Sequence, residues 1–171
     1  MVVAQSLGVA CQAWIFPNLP AEPFLEKTWL GQCTFGKFTK PQQRMISVAG
    51  AVAEACWRDR DIWDVAAEID WYEPEVMSET DWHFSGCPVG EPSTRLFAAI
   101  DKVALLLRPD SGPLWPSLLR TAHELIVESR EIFLPSGVTT ASMVDELAKL
   151  IHQTPPSVGA EMAVREILTI K

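Results

Sequence analysis

Between Asp59 and Asp81 the chain carries nine carboxylates (Asp59, Asp61, Asp64, Glu68, Asp70, Glu73, Glu75, Glu79 and Asp81) against the single base Arg60. Trp57, Trp63, Trp71 and Trp82 stand within or beside that run. Ionised carboxylates resist burial unless they are paired, whereas large aromatic rings are mostly buried in folded chains. The segment must therefore follow the surface, with its charges in solvent and its rings turned down onto a core built by other elements. The same rings would also suit a binding surface, because tryptophan offers a large apolar area with one donor. A cation or a basic partner is the other way to cover so many carboxylates.

The core has to come from the flanking sequence. With 171 residues and 48% apolar content the chain suffices for one sizeable core, so a single domain over 1–171 is expected. Within it, 1–40 reads as a helix end plus a strand pair and 41–171 as the helical part. Val9 to Phe16 is rich in β-branched and aromatic residues and runs into Pro17-Asn18-Leu19-Pro20, a strand followed by a turn. Lys27 to Phe35 alternates Trp29, Gly31, Cys33 and Phe35 on one face with Thr28, Leu30, Gln32 and Thr34 on the other. Two strands alone are marginal in water, so helices must cover them.

Pro41 suits a first helical turn, and Met45, Val48, Ala49, Val52, Ala53 and Cys56 follow at helical spacing. Ser78 is placed to cap a short helix through Ser85 that Gly86 and Pro88 end. Thr94 to Leu107 carries a stripe of Phe97, Ile100, Ala104 and Leu107, stopped by Pro109-Asp110-Ser111-Gly112-Pro113. Leu114 to Ile132 repeats it through Leu118, Ala122, Leu125 and Ile126. After Pro135-Ser136-Gly137, Ala141 to Ile151 has Val144, Leu147 and Ile151, and the tail from Pro155 allows one more short helix. The fold class is α+β and mainly α, a helical domain with a small N-terminal hairpin.

A net charge of −8, with 14 scattered Lys and Arg, argues against nucleic acid as the main partner, since phosphate binding needs a basic face. Protein or peptide partners are expected instead, and a homo-oligomer is compatible with the composition. Charges or prolines interrupt every apolar run short of the roughly 18 residues of a membrane span, and no secretory signal is evident at the start. Cys11, Cys33, Cys56 and Cys87 are far apart without a C-x-x-C pair, which fits reduced thiols in a cytoplasmic protein.

The first residues, Met1-Val2-Val3-Ala4-Gln5-Ser6-Leu7-Gly8, read as the end of a helix whose beginning is missing: Gly8 suits a left-handed helix terminus, yet no Ser, Thr, Asp or Asn precedes Val2 to cap its start. This segment resembles the sequence that follows the zinc-binding helix in the peptidase domain of the ATP-dependent membrane zinc proteases (the FtsH class) and their small stand-alone relatives. There, a His-Glu-Ala-Gly-His motif runs into a Val/Ala-rich stretch ending in Leu-Gly. Val48-Ala49-Gly50-Ala51-Val52-Ala53-Glu54 is similar to a later helix of that family, and Met77-Ser78-Glu79-Thr80-Asp81-Trp82 to the start of the helix whose Asp is the third metal ligand. The Asp59 to Glu75 stretch stands as an insertion between them.

The resemblance implies a zincin-related fold and assigns Asp81 as the third ligand of a complete form. Two His at i and i+4 on one helix face bind zinc, the intervening Glu serves as general base, and a distant carboxylate completes three ligands while one position stays open. The two His and the Glu would precede residue 1. The chain as it stands is then a fragment or degenerate relative of a zinc metallopeptidase domain, with no catalytic residue and no zinc of its own. The alternative is a non-catalytic acidic helical module that binds a basic protein through Asp59 to Asp81.

Other candidates have plainer readings beside the functional ones. Asp81, three residues after Ser78, also suits a first-turn acid meeting the helix dipole. His83 and Cys87 could share a helix face and a soft metal, but Gly86 lies between them. His123-Glu124 lacks the second His of a zinc helix because position 127 is Val, and His152 suits a helix C-terminus. Ser111-Gly112 and Ser136-Gly137 sit in turns without a nucleophile elbow.

Overall fold

A computed structural model describes residues 1–17, 29–133, 138–154 and 156–170. The described elements in chain order are α1 (Val2–Ser6), β1 (Cys11–Pro17), β2 (Trp29–Phe35), α2 (Lys40–Arg58), α3 (Val65–Glu68), a 3₁₀ turn (Pro74–Val76), α4 (Glu79–Ser85), α5 (Thr94–Leu107), α6 (Trp115–Phe133), α7 (Val138–Gln153) and α8 (Ala160–Thr169). The chain is mainly helical with one two-stranded antiparallel sheet, the expected class. The turn read at 18–20 and the break at 135–137 lie outside the described residues.

Helix α2 begins as its sequence requires. Thr39 caps it in a reciprocal box with Gln42, and Pro41 occupies the first turn, where its missing N–H costs nothing. The Thr39 cap was not singled out in the sequence, although Thr followed three residues later by Gln is its signature. Val48 and Val52 are fully buried in the face that packs on α5, whose Leu96, Ile100 and Val103 are equally enclosed. Gln42 also donates from Nε2 to the Leu7 carbonyl at 2.9 Å, and Gln43 donates to the Phe84 carbonyl. The first turn of α2 thereby holds the end of α1 and the end of α4.

The hairpin pairs Cys11 with Phe35, Ala13 with Cys33 and Ile15 with Gly31. Because side chains alternate along a strand, these six positions share one face, as the alternation predicts for β2. Helix α6 lies beside β1, and α1 touches both α2 and α6.

The acidic segment behaves as its charges dictate. Seven of the nine carboxylates are exposed, and Asp64 and Asp81 are half-buried. Trp71 and Trp82 are enclosed, their indole N–H groups donating to the Val65 carbonyl at 3.1 Å and the Pro74 carbonyl at 2.9 Å. Docking of the rings thus holds for these two and fails for Trp63, which is 71% exposed and anchored only through its carbonyl by Arg108. Arg60 lies 5.1 Å from the centre of the Trp57 ring and pairs with Glu146 of α7 at 2.9 Å, tying the segment to the last helices.

Helices α5 and α6 are joined by a tight turn in which Gly112 N–H donates to the Arg108 carbonyl at 2.7 Å and Leu114 N–H to the Leu106 carbonyl at 2.9 Å. A Cβ on Gly112 would stand 2.5 Å from the Arg108 nitrogen and 2.7 Å from the Leu106 oxygen, both backbone atoms that cannot swing away. Gly112→Ala is expected to cost about 2 kcal/mol or more in urea unfolding, the range of backbone clashes in tight turns. A variant within about 0.5 kcal/mol of the parent, the usual surface value, would show that the turn relaxes freely.

Asp101 is exposed on α5, and partial desolvation of its carboxyl, assisted by the negative charge of Asp64, raises it above its ordinary value. A raised carboxyl pKa means the folded state holds its proton more tightly, so ionisation costs stability as pH rises through the folded value. Asp101→Asn should therefore raise the melting temperature at pH 7 by at most about 2 °C, and the gain should vanish below the ordinary carboxyl pKa. An equal gain at every pH would assign the effect to something other than charge.

Candidate functional site

The elements enclose a cleft of about 800 Å³. Its walls are Met1 to Ala4 of the first turn, Gly31 to Cys33 and Phe35 of β2, Ile46, Ala49, Gly50 and Ala53 of α2, and Ser78, Thr80, Asp81 and Phe84 around α4, with Leu107 and Leu118 behind. Three successive residues of β2 line it, and successive side chains point to opposite faces, so the strand presents its edge. That edge has no strand partner among the described residues, since the sheet holds only β1 and β2. On the opposite wall α2 offers small side chains, and a Cβ built on Gly50 would meet nothing within 4 Å.

Asp81 occupies the first turn of α4. Its N–H donates to Ser78 Oγ at 3.1 Å, and the Ser78 hydroxyl donates to Asp81 Oδ2 at 2.7 Å. The helix ends at Gly86, which takes φ 78°, and Phe84 is held between Phe35 (ring centres 5.9 Å apart) and Phe38 (5.1 Å). Ser78 and Gly86 are where the sequence placed them. Both readings of Asp81 are compatible with this geometry: it is a first-turn acid within a capping arrangement, and it also faces the cleft.

The other candidates are not gathered at the cleft. Gly86 reverses the chain between His83, which is exposed, and Cys87, which is buried, so the two do not share a helix face. The Cys87 thiol donates to Ser93 Oγ at 3.4 Å. Burial pushes that thiol up, but hydrogen bonding with Ser93 and Ser85 outweighs it and the net shift is downward. His123 is half-buried on α6 and His152 is exposed in the last turn of α7.

Among the described residues no group of three His, Cys, Asp or Glu converges to hold a metal. Within the cleft the metal-type donors are Asp81 and Cys33, short of the three protein ligands of a catalytic zinc. The described residues alone therefore do not fit such a site, and no hydrolytic step follows from them. No helix among the described residues is long and apolar enough to cross a membrane. No family model, curated protein or solved structure matches the chain.

Two further spaces lie on the described surface. One, of about 540 Å³, lies over α2 on the side of the acidic segment, with Glu54, Asp59, Glu68, Asp70, Glu73 and Glu75 around a floor that includes Ile62 and Ile69. The other, of about 440 Å³, lies between β1 and α6. The first borders the acidic run that the sequence marks as a possible partner surface, though not its groove over α2; the second joins residues remote in sequence and has no local signal.

The four cysteines are free thiols in different settings. Cys33 is exposed at the cleft, whereas burial pushes Cys56 up to about 11. The thiolate is the reactive form, so iodoacetamide at pH 8 should alkylate Cys33 well before Cys56, which should react only on unfolding. Peptide mapping by mass spectrometry reads the order, and early labelling of Cys56 would contradict the packing of α2.

Proposed function

We propose that the cleft is the peptide-binding part of a zinc-peptidase-type domain, with Asp81 the one zinc ligand carried by residues 1–171 and α1 the last turn of the helix that brings the others. The observation that carries this reading is the shared cleft: Met1, at the N-terminal end of α1, borders the same space as Asp81. Val2, Val3 and Ala4 of α1 are buried beside that space.

In this reading the chain's own residues bind and orient. The open edge of β2 supplies backbone donors and acceptors to an extended peptide, which adds to it as a further strand. The small residues of α2 leave depth for side chains opposite. Ser78 holds one Asp81 carboxylate oxygen through its hydroxyl.

Residues 1–171 are expected to give no zinc-stimulated cleavage of fluorescent casein. Codons upstream of Met1 are expected to encode an in-frame His-Glu-x-x-His, and the chain so extended should bind one zinc, with affinity reduced about tenfold or more by Asp81→Asn, as ligand-shell losses usually are. Metal-dependent turnover by residues 1–171, or zinc binding indifferent to Asp81, would overturn the reading.

A second reading is favoured by the acidic groove over α2, where six carboxylates stand against one base, Arg58, which pairs with Glu54, and an apolar floor suits a basic protein segment. An extended chain that binds no zinc would leave that groove as the functional surface of a non-catalytic module.

A further inference from the structure

The pocket between β1 and α6 has a composition unlike the cleft. Cys11, Gln12, Ala13 and Trp14 line it in succession, so β1 turns its edge toward α6. From α6 come Thr121, Glu124, Leu125 and Glu128, which share one helix face because positions three and four apart are neighbours. Trp14 is 40% exposed, an uncommon state for so large an apolar ring.

Glu124 and Glu128 are like charges one turn apart, an arrangement that destabilises a helix unless a cation stands between them. The ion pairs among the described residues are Arg58 with Glu54 and Arg60 with Glu146, so neither of these exposed carboxylates has an ion-pair partner there, Arg120 one turn before Glu124 included. The pocket thus combines an open indole ring, two carboxylates without an ion-pair partner among the described residues and a space of about 440 Å³, ample for a planar cation. A cation over an aromatic face is attracted by the ring quadrupole, and a planar guanidinium can stack there while its edge donates to carboxylates.

We propose that this pocket binds the guanidinium of an arginine side chain from a basic peptide, stacked on Trp14 and hydrogen-bonded to Glu124 and Glu128. The Thr121 hydroxyl and the Gln12 amide, on opposite walls, border the rest of the bound group. Arginine is favoured over lysine because an ammonium offers no plane to lie on the ring. The site does not rest on the reading of the cleft, since it uses no metal ligand and only Met1 borders both spaces.

The test follows the Trp14 indole N–H, assigned by its loss in Trp14→Phe, in nitrogen-15 NMR titrations of residues 1–171 with acetyl-Gly-Arg-Gly-amide. The citrulline peptide, equal in shape but uncharged, serves as comparison. The arginine peptide should shift the Trp14 signal saturably, and the citrulline peptide and the E124Q/E128Q variant should each weaken binding by about tenfold or more, as expected for charge-assisted hydrogen bonds. The spectrum of each variant reports its fold directly, and the single variants E124Q and E128Q, each weaker than the parent, carry the test should the double variant unfold. A charge-matched control, E161Q/E166Q on exposed positions of α8, should bind as the parent does. The proposal fails if Trp14 does not respond, if citrulline binds equally, or if the control loses as much affinity as E124Q/E128Q, which would mark mere attraction to the net charge of −8.

Discussion

The packing of α2 on α5 is the contact on which the other surfaces depend. Val48 and Val52 are enclosed in it, and both are β-branched, with little rotamer freedom left to lose. Fixing that face fixes the rest of the helix. Ile46, Ala49, Gly50 and Ala53 then form a wall of the cleft, while Ala51, Glu54, Ala55 and Arg58 form a wall of the acidic groove. The first turn adds the two glutamine amides that hold α1 and α4. One helix therefore positions both candidate surfaces, and a cavity in its packed face would be felt at each of them.

Legibility in the sequence followed locality. The α4 boundaries came from Ser78 and Gly86, whose cap and positive φ are properties of single residues. Helix α5 came from an uninterrupted stripe closed by Pro109 to Pro113, and its bounds match. The hairpin faces followed from alternation. What alternation and stripes could not give was the fate of individual rings in the acidic segment: Trp63 and Trp71 lie in the same charged run, yet one is exposed and the other enclosed. The difference rests on α3 and the 3₁₀ turn, elements too short to leave a periodic signal, and on a carbonyl of Val65 that the Trp71 N–H can reach.

The site was legible only where a single element carries it. Asp81 could be placed on a first helical turn from Ser78 alone, whereas nothing local to Met1 says that it borders the same cleft. Their meeting at one space is a tertiary fact. The pocket at Trp14 is further from sequence reach: Glu124 drew notice only as part of a failed zinc motif with His123, and its pairing with Glu128 gains meaning only when β1 is laid alongside.

The apolar stripe of α6 connects these observations. Leu118, Ala122, Leu125 and Ile126 follow helical spacing as closely as the stripe of α5, yet all four are only half-buried, while Leu119 beside them is enclosed. Helix α6 packs chiefly on α7, with β1, α1 and α5 also against it, so the stripe is shared among several neighbours rather than enclosed by one. Leu118 borders the cleft and Leu125 the pocket, with Met1 between them bordering both. On the far side of the cleft, α2 shows the matching pattern of small residues over open space.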